Sequence, residues 1–276
     1  MGLIGSHATV TGGLATGGLA YAAEVGAEVI QVFVSNPRGW AVGPGDAAQD
    51  RLLRDSGLPV FIHAPYLINL GSGDPAVVSK SASAVAHALQ RGTEIGARGV
   101  VVHAGSAVGW ADREQALRQL AEIALPLLDK LGDDDPDLLF EPMAGQGQML
   151  CARAEDLAPY LAAVERHPKA GICLDTCHMF AAGHDLTAVG GVAAMLDELV
   201  TAAGPGRVGL VHANDSLLGC GSKRDRHEAL GAGKIGTEPF RELLAALGDV
   251  PFVVETPGGK AGHARDIATL KGLRAA

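Results

Sequence analysis

The sequence predicts an α/β fold of the (β/α)8 barrel class, a single domain over residues 1–276. Three observations predict it. Short apolar runs rich in Val, Ile and Leu recur eight times, and continuous apolar runs suit parallel strands buried on both faces. Between them lie Ala- and Leu-rich stretches with the i, i+3, i+4 spacing of an amphipathic helix. Eight such units in 276 residues average roughly 34 residues each, the size of an ordinary barrel unit.

The runs fall at Leu3–Ser6, Val29–Val34, Val60–Ile62, Val100–Val102, Leu138–Phe140, Gly171–Leu174, Val208–Val211 and Phe252–Val254. Helical spacing marks Ala82–Gly96, Arg113–Leu131, Ala154–Arg166, Val192–Ala203 and Pro239–Leu247, with a weaker helix at Ala47–Ser56 after the second run. The acidic stretch Asp133–Asp137 reads as a solvated turn. No Pro/Ser-rich linker divides the chain. An open doubly wound sheet is the architectural alternative. Its phosphate fingerprint is not met, because Gly12–Gly18 lacks the acidic residue expected after a second strand.

Composition narrows the function. A hydrophobic fraction of 47% excludes a disordered chain. No uncharged apolar segment is long enough to span a membrane, and the start MGLIGSHATV lacks the basic region of a secretory signal. Four cysteines in this length make no disulfide scaffold, so a reducing, cytoplasmic setting is expected. Cys173 and Cys177 read as small buried hydrophobes. A net charge of −9 argues against broad nonspecific polyanion binding, and 4% aromatics against an extended base-stacking platform. A barrel of this size needs no partner subunit, so a monomer is expected.

The chemistry collects where the apolar runs end. His63 ends the third, His103 the fourth, Glu141 the fifth and Asp175 the sixth, with His178 three residues on. His212 ends the seventh, Asp225 and His227 lie in the loop beyond it, and Glu255 ends the eighth. In a barrel these positions form the C-terminal rim, where active sites are built. Singly, such residues have ordinary readings: a satisfied loop histidine, a solvated carboxylate. Nine together on one face would be electrostatically costly unless cations offset them. Five imidazoles with four carboxylates would accommodate two or three ions, Zn²⁺ by preference, with Mn²⁺ or Fe²⁺ admissible at one site. Closely spaced metals suit phosphate-ester hydrolysis.

These residues sit in long, mixed-composition strings: FVSNPRGW, HAPYLINLG, VVHAGS, EPMAGQG, CLDTCHMFAAGHDL, HANDS, GSKRDRHEALGAGKIG and VVETPGG. In them the chain resembles, nearly end to end, the endonuclease IV family of metal-dependent apurinic/apyrimidinic DNA-repair endonucleases. The resemblance implies a xylose-isomerase-like TIM barrel with three zinc ions at its rim. One ion would be held by His63, His103 and Glu141. Glu141 would bridge to a second, shared with Asp175, His212 and Glu255. His178, Asp225 and His227 would hold the third. It also implies cleavage 5′ to an abasic site in double-stranded DNA, leaving a 3′-hydroxyl and a 5′ deoxyribose phosphate, and trimming of blocked 3′ ends. Glu141 or Glu255 could assist as a base. Arg38, Tyr66 and Leu67 would fill the gap in the bent duplex, and Lys223, Arg224 and Arg226 would meet phosphates.

His184 is read as structural or as a support behind the ligands, not as a tenth ligand. His7 stays open between facing the site and a structural hydrogen bond, and His87, His167 and His263 receive no role. Two other function classes stand against the leading one. A metal-dependent sugar isomerase or epimerase would explain a His/carboxylate rim but not three ligand sets. A non-enzymatic damage-binding protein would be expected to have lost a ligand, and none is lost.

Overall fold

The computed structural model describes residues 1–275. Eight parallel strands close into a barrel: β1 (Ile4–His7), β2 (Ile30–Val32), β3 (Val60–His63), β4 (Gly99–His103), β5 (Asp137–Glu141), β6 (Ala170–Asp175), β7 (Val208–His212) and, last in sequence, β10 (Phe252–Val254). Closure comes from β1, which pairs with β2 on one side and with β10 on the other, Ile4 opposite Phe252. The short strands β8 (Asp215–Ser216) and β9 (His227–Glu228) form an antiparallel pair above the rim.

Both faces of the strands are buried. Val29, Phe61, Val101, Leu139, Cys173, Leu210 and Val253 fill the barrel interior, and a larger apolar layer lies between strands and helices. Leu139 fits because β4, β6 and β7 carry glycine where it points. A Cβ at Gly99, Gly171 or Gly209 would stand 2.9, 2.6 or 2.9 Å from its side chain, closer than atoms in a packed core approach.

The outer layer holds α1 (Leu14–Val25), α2 (Ala47–Asp55), α3 (Pro75–Ile95), α4 (Arg113–Leu128), α5 (Leu157–Ala163), α6 (Thr176–Ala182), α7 (Gly191–Ala203), α8 (Glu238–Ala246) and α9 (Gly259–Ala275). Several differ from expectation. α3 begins seven residues before Ala82, because Asp74 caps it and Pro75 supplies its first residue. α4 stops at Leu128, short of Leu131. Ala154–Arg166 is not one helix but a 3₁₀ turn, Ala154–Asp156, followed by α5. It ends early because Glu165 and Arg166 adopt positive φ, which breaks helical hydrogen bonding. α1, α6 and α9 lie outside the sequence expectation. α1 carries internal glycines that weaken the helical signal, and α6 is a short helix buried along its whole length.

The Gly/Pro-rich segment before α2 is held by an ion pair. The Arg91 guanidinium of α3 donates to both carboxylate oxygens of Asp50 on α2, to Glu94 and to the Pro44 carbonyl. Arg91 and Asp50 are 3% and 5% exposed. A side chain at Gly45, whose φ is +80°, would run into this guanidinium.

The chain's ends meet at Glu28. Its carboxylate accepts from Arg274 at 2.7 and 3.0 Å and from the Ile4 backbone N–H at 2.9 Å. The Arg274 guanidinium holds the Glu28 carboxyl down at about 2. A depressed carboxyl stabilises the fold fully above its ordinary value, and that contribution is lost as pH falls from about 4.5 through about 2. Glu28→Gln is therefore expected to lose about 1–2 kcal/mol at neutral pH, given the screening of a partly exposed pair. Denaturant unfolding should show that deficit shrinking as pH falls below 4.5. A deficit unchanged down to pH 2 would remove the ion pair as its cause.

Candidate metal centre

The geometry begins with strand register. His103 lies opposite Glu141, Asp175 opposite His212, and His7 opposite Gln31. Each strand of the barrel thus brings a polar side chain to one mouth, Glu255 following β10 directly. The hairpin adds Asp225 and His227, and α6 adds His178, whose backbone N–H is capped by Asp175 at 2.7 Å.

Glu141 is the hub, 1% exposed. Its Oε2 faces His63 Nε2 at 3.4 Å and His103 Nε2 at 3.6 Å. Its Oε1 faces His178 Nδ1 at 3.2 Å and His212 Nδ1 at 3.3 Å. His212 Nδ1 also lies 3.5 Å from Glu255 Oε2 and 3.9 Å from Asp175 Oδ2. Around the third group, His178 Nε2 and His227 Nε2 stand 3.2 and 3.0 Å from the two oxygens of Asp225. All nine sequence-predicted residues are brought together. His63, His103 and Glu141 form one set whose ligand atoms lie within 4.8 Å of one another; His178, Asp225 and His227 form another.

The hydrogen-bond partners fix one N–H on each of three rings. A ring N–H must donate to a carbonyl oxygen, which only accepts. His63 Nδ1 donates to Ala64 O at 2.7 Å, His178 Nδ1 to Pro142 O at 3.1 Å, and His212 Nε2 to Gln31 Oε1 at 2.9 Å. The other nitrogen of each ring faces carboxylates, and whenever it carries no proton it turns a bare lone pair toward them. Two acceptors face each other at such distances only with positive charge between them. Among the described residues, Glu141 Oε2, His178 Nε2 and His227 Nε2 are buried and have no hydrogen-bond partner.

Titration follows the same logic. Burial drives the His103 imidazole down to about 4, so it is neutral and ready to coordinate. Burial opposes ionisation of Glu141, yet His212, His178 and His63 outweigh it and hold the carboxyl well below its ordinary range. Burial likewise opposes charge on His227, but Asp175 and Asp225 raise it to about 9. Protons and metal ions compete for these lone pairs.

Some of the supporting residues escape sequence reasoning. Gln31 is fully buried and donates to Glu255 Oε1 at 2.6 Å and to His7 Nδ1 at 3.0 Å, while its oxygen holds His212. His7 therefore does face the site. Asn214 donates to Asp175 Oδ2 at 2.7 Å and accepts the Glu255 N–H at 2.8 Å. A lone Gln inside the apolar run IQV is the available signal for the first; none marks the second. His263, assigned no role, is held between the Tyr21 hydroxyl and the Thr256 carbonyl, under the loop that follows Glu255. His184 accepts from Ala154 N at 3.1 Å, away from the rim, a structural histidine. Cys173 and Cys177 border the ligand groups, but burial pushes both thiols up to about 12, and they pack as small apolar residues.

The six residues expected at DNA fall in two places. Arg38, Tyr66 and Leu67 are exposed on one side, joined where Tyr66 N donates to Pro37 O at 3.0 Å. The Tyr66 ring stacks on His103 with centroids 5.6 Å apart. Lys223, Arg224 and Arg226 are exposed on the loop beyond β7. That loop folds back over α6, where Gly221 N donates to Phe180 O at 3.0 Å and Lys223 N to Ala181 O at 2.9 Å.

A closed barrel with this many metal-competent side chains at one mouth is the architecture of a metal-dependent TIM-barrel enzyme. Comparison with known proteins agrees. The family described as the xylose isomerase-like TIM barrel matches residues 19–273. A probable endonuclease 4 from Streptomyces coelicolor is 54% identical over 278 residues, 98% of this chain and 95% of the relative. One from Nitratidesulfovibrio vulgaris is 37% identical over 281 residues, 99% of each. The solved endonuclease IV from Thermus thermophilus superposes with a TM-score of 0.84 at 35% identity, covering 98% of both chains. The chain belongs to the endonuclease IV family and is a phosphodiester hydrolase. A D-tagatose 3-epimerase-like protein also superposes, with a TM-score of 0.74, but at 19% identity that likeness concerns the barrel alone.

Proposed function

We propose that this chain incises duplex DNA 5′ to abasic sites, leaving a 3′-hydroxyl and a 5′ deoxyribose phosphate, and trims blocked 3′ ends. The observation that carries the reading is the set of imidazole lone pairs aimed at carboxylates, with the opposite ring nitrogens already committed. Three zinc ions fit it. His63, His103 and Glu141 would hold the first; Glu141, Asp175, His212 and Glu255 the second; His178, Asp225 and His227 the third. Bound there, they would supply Lewis acidity at the scissile phosphate and acidify a water.

The chain's own residues do the rest. Gln31 and Asn214 orient His212, Asp175 and Glu255, as partners behind a metal ligand do. Glu141, 1% exposed with both oxygens turned to histidines, is a holder. The Glu255 side chain is 16% exposed, so of the two glutamates it is the one that would reach a water and take its proton. Tyr66 and Leu67 would enter the gap left by the missing base. Extruding an unstacked nucleotide costs less than flipping an intact one. Arg38, Lys223, Arg224 and Arg226 would hold the phosphates of the bent duplex.

Metal analysis beside a nicking assay on a duplex with one abasic site tests this. About three zinc per chain and a single 5′ nick that a chelator abolishes are expected. Glu255→Gln should lose cleavage and keep its unfolding transition. Near-zero metal, or sugar interconversion without nicking, would overturn the reading.

A further inference from the structure

Asp215 belongs to none of the ligand sets, yet it is fully buried. Its carboxylate accepts five backbone N–H groups. Ser216 and Ile235 reach Oδ1 at 2.7 and 2.8 Å; Gly231, Gly233 and Gly236 reach Oδ2 at 2.9, 3.0 and 3.3 Å. The loop 231–236 is thereby wrapped around one side chain, and Lys234 N closes it onto Ser216 O at 2.7 Å.

This matters for what lies beside the loop. Ser216 pairs with His227, and Asp215 with Glu228, across the β8–β9 ladder. Leu217 N donates to Arg226 O at 2.9 Å, closing the excursion 217–226 at its base. Asp225 and His227 therefore stand at the base set by residues 215–217 and by the loop that Asp215 gathers, while the tip of the excursion rests on α6 through Gly221 N to Phe180 O and Lys223 N to Ala181 O. No ligand of the first two sets lies on this segment.

We infer that Asp215 is the positioning residue of the third metal set, holding Asp225 and His227 against His178. The inference rests on the three-metal reading above. A carboxylate suits the task because charge-assisted hydrogen bonds to N–H groups are the strong ones. An amide in its place would turn an N–H₂ toward two or three N–H donors and leave them unpaired.

Asp215→Asn and Gly233→Ala test it independently. The second acts from the loop side: a methyl there would collide with the Asp215 carboxylate and the Ser216 carbonyl. Zinc content after dialysis, and titration against a chromophoric chelator, are the readouts. Wild type is expected to hold three ions. Each variant should keep two at wild-type affinity and bind the remaining one about 10- to 100-fold more weakly, as when a ligand's supporting partner is lost. Wild type with fewer than three ions would sink the three-metal reading itself. Wild type with three, and variants that also keep three at unchanged affinity, would sink the inference alone. So would loss of all ions together, or unfolding in both variants, since Asp215 would then support the whole fold.

Discussion

Glu141→Gln is expected to abolish incision while leaving the barrel folded. Glu141 is the one carboxylate that four histidines face. Glutamine has the same shape, so the core around it keeps its packing. Its amide can donate to the lone pair at His63 Nε2, so the substituted side chain is satisfied where the carboxylate oxygen had no partner. The amide would sit where positive charge is required and bring none of the negative charge that attracts a cation. Two of the proposed metal sets share this residue, so both should empty. Losing several kcal/mol of charge stabilisation corresponds to about 10³-fold or more in rate. Single-turnover nicking with zinc analysis checks it, and thermal unfolding reports the fold. Nicking within about tenfold of wild type, a difference of only about 1.4 kcal/mol, would take Glu141 out of the centre.

Arg91→Met is expected to give a large loss of stability far from the site. Methionine matches the length of the aliphatic stem but leaves Asp50 as a buried charge with no counter-ion. Breaking a buried pair from one side costs about 3–5 kcal/mol. The Pro44 carbonyl loses its donor in the same step, which frees the segment before α2. The double variant Arg91→Met with Asp50→Leu should recover most of the loss, because an apolar pair of similar volume carries no desolvation penalty. Urea unfolding measures both. A single-variant loss under about 1 kcal/mol would mean the pair is hydrated and behaves as a surface salt bridge. A double variant no better than the single would assign the loss to the loop anchor instead.

Much of the fold is legible because barrel strands declare themselves locally. All eight barrel strands overlap their apolar runs, since both faces of each strand are buried and no alternation dilutes the signal. The helices are harder. The periodicity of α3 places its start too late, although Asp74-Pro75 is a readable cap. α6 escapes because a seven-residue helix buried on every side has no polar face to give it a period.

The metal-competent residues are legible for a related reason. Five of them are the last residues of their strands, and strand order around a barrel follows the chain. The sequence by itself therefore determined the fold class, the mouth where chemistry gathers, which residues stand there, and the family. Only the tertiary structure decided which ring nitrogen of His63, His178 and His212 is committed, and what holds it. Gln31 meets His212 across 181 residues, and Asn214 reaches Asp175 from 39 away. Asp215 gathers a loop ending 21 residues beyond it. A side chain's type is written locally. Its protonation partner is a contact between distant residues, and exists only once the barrel has closed.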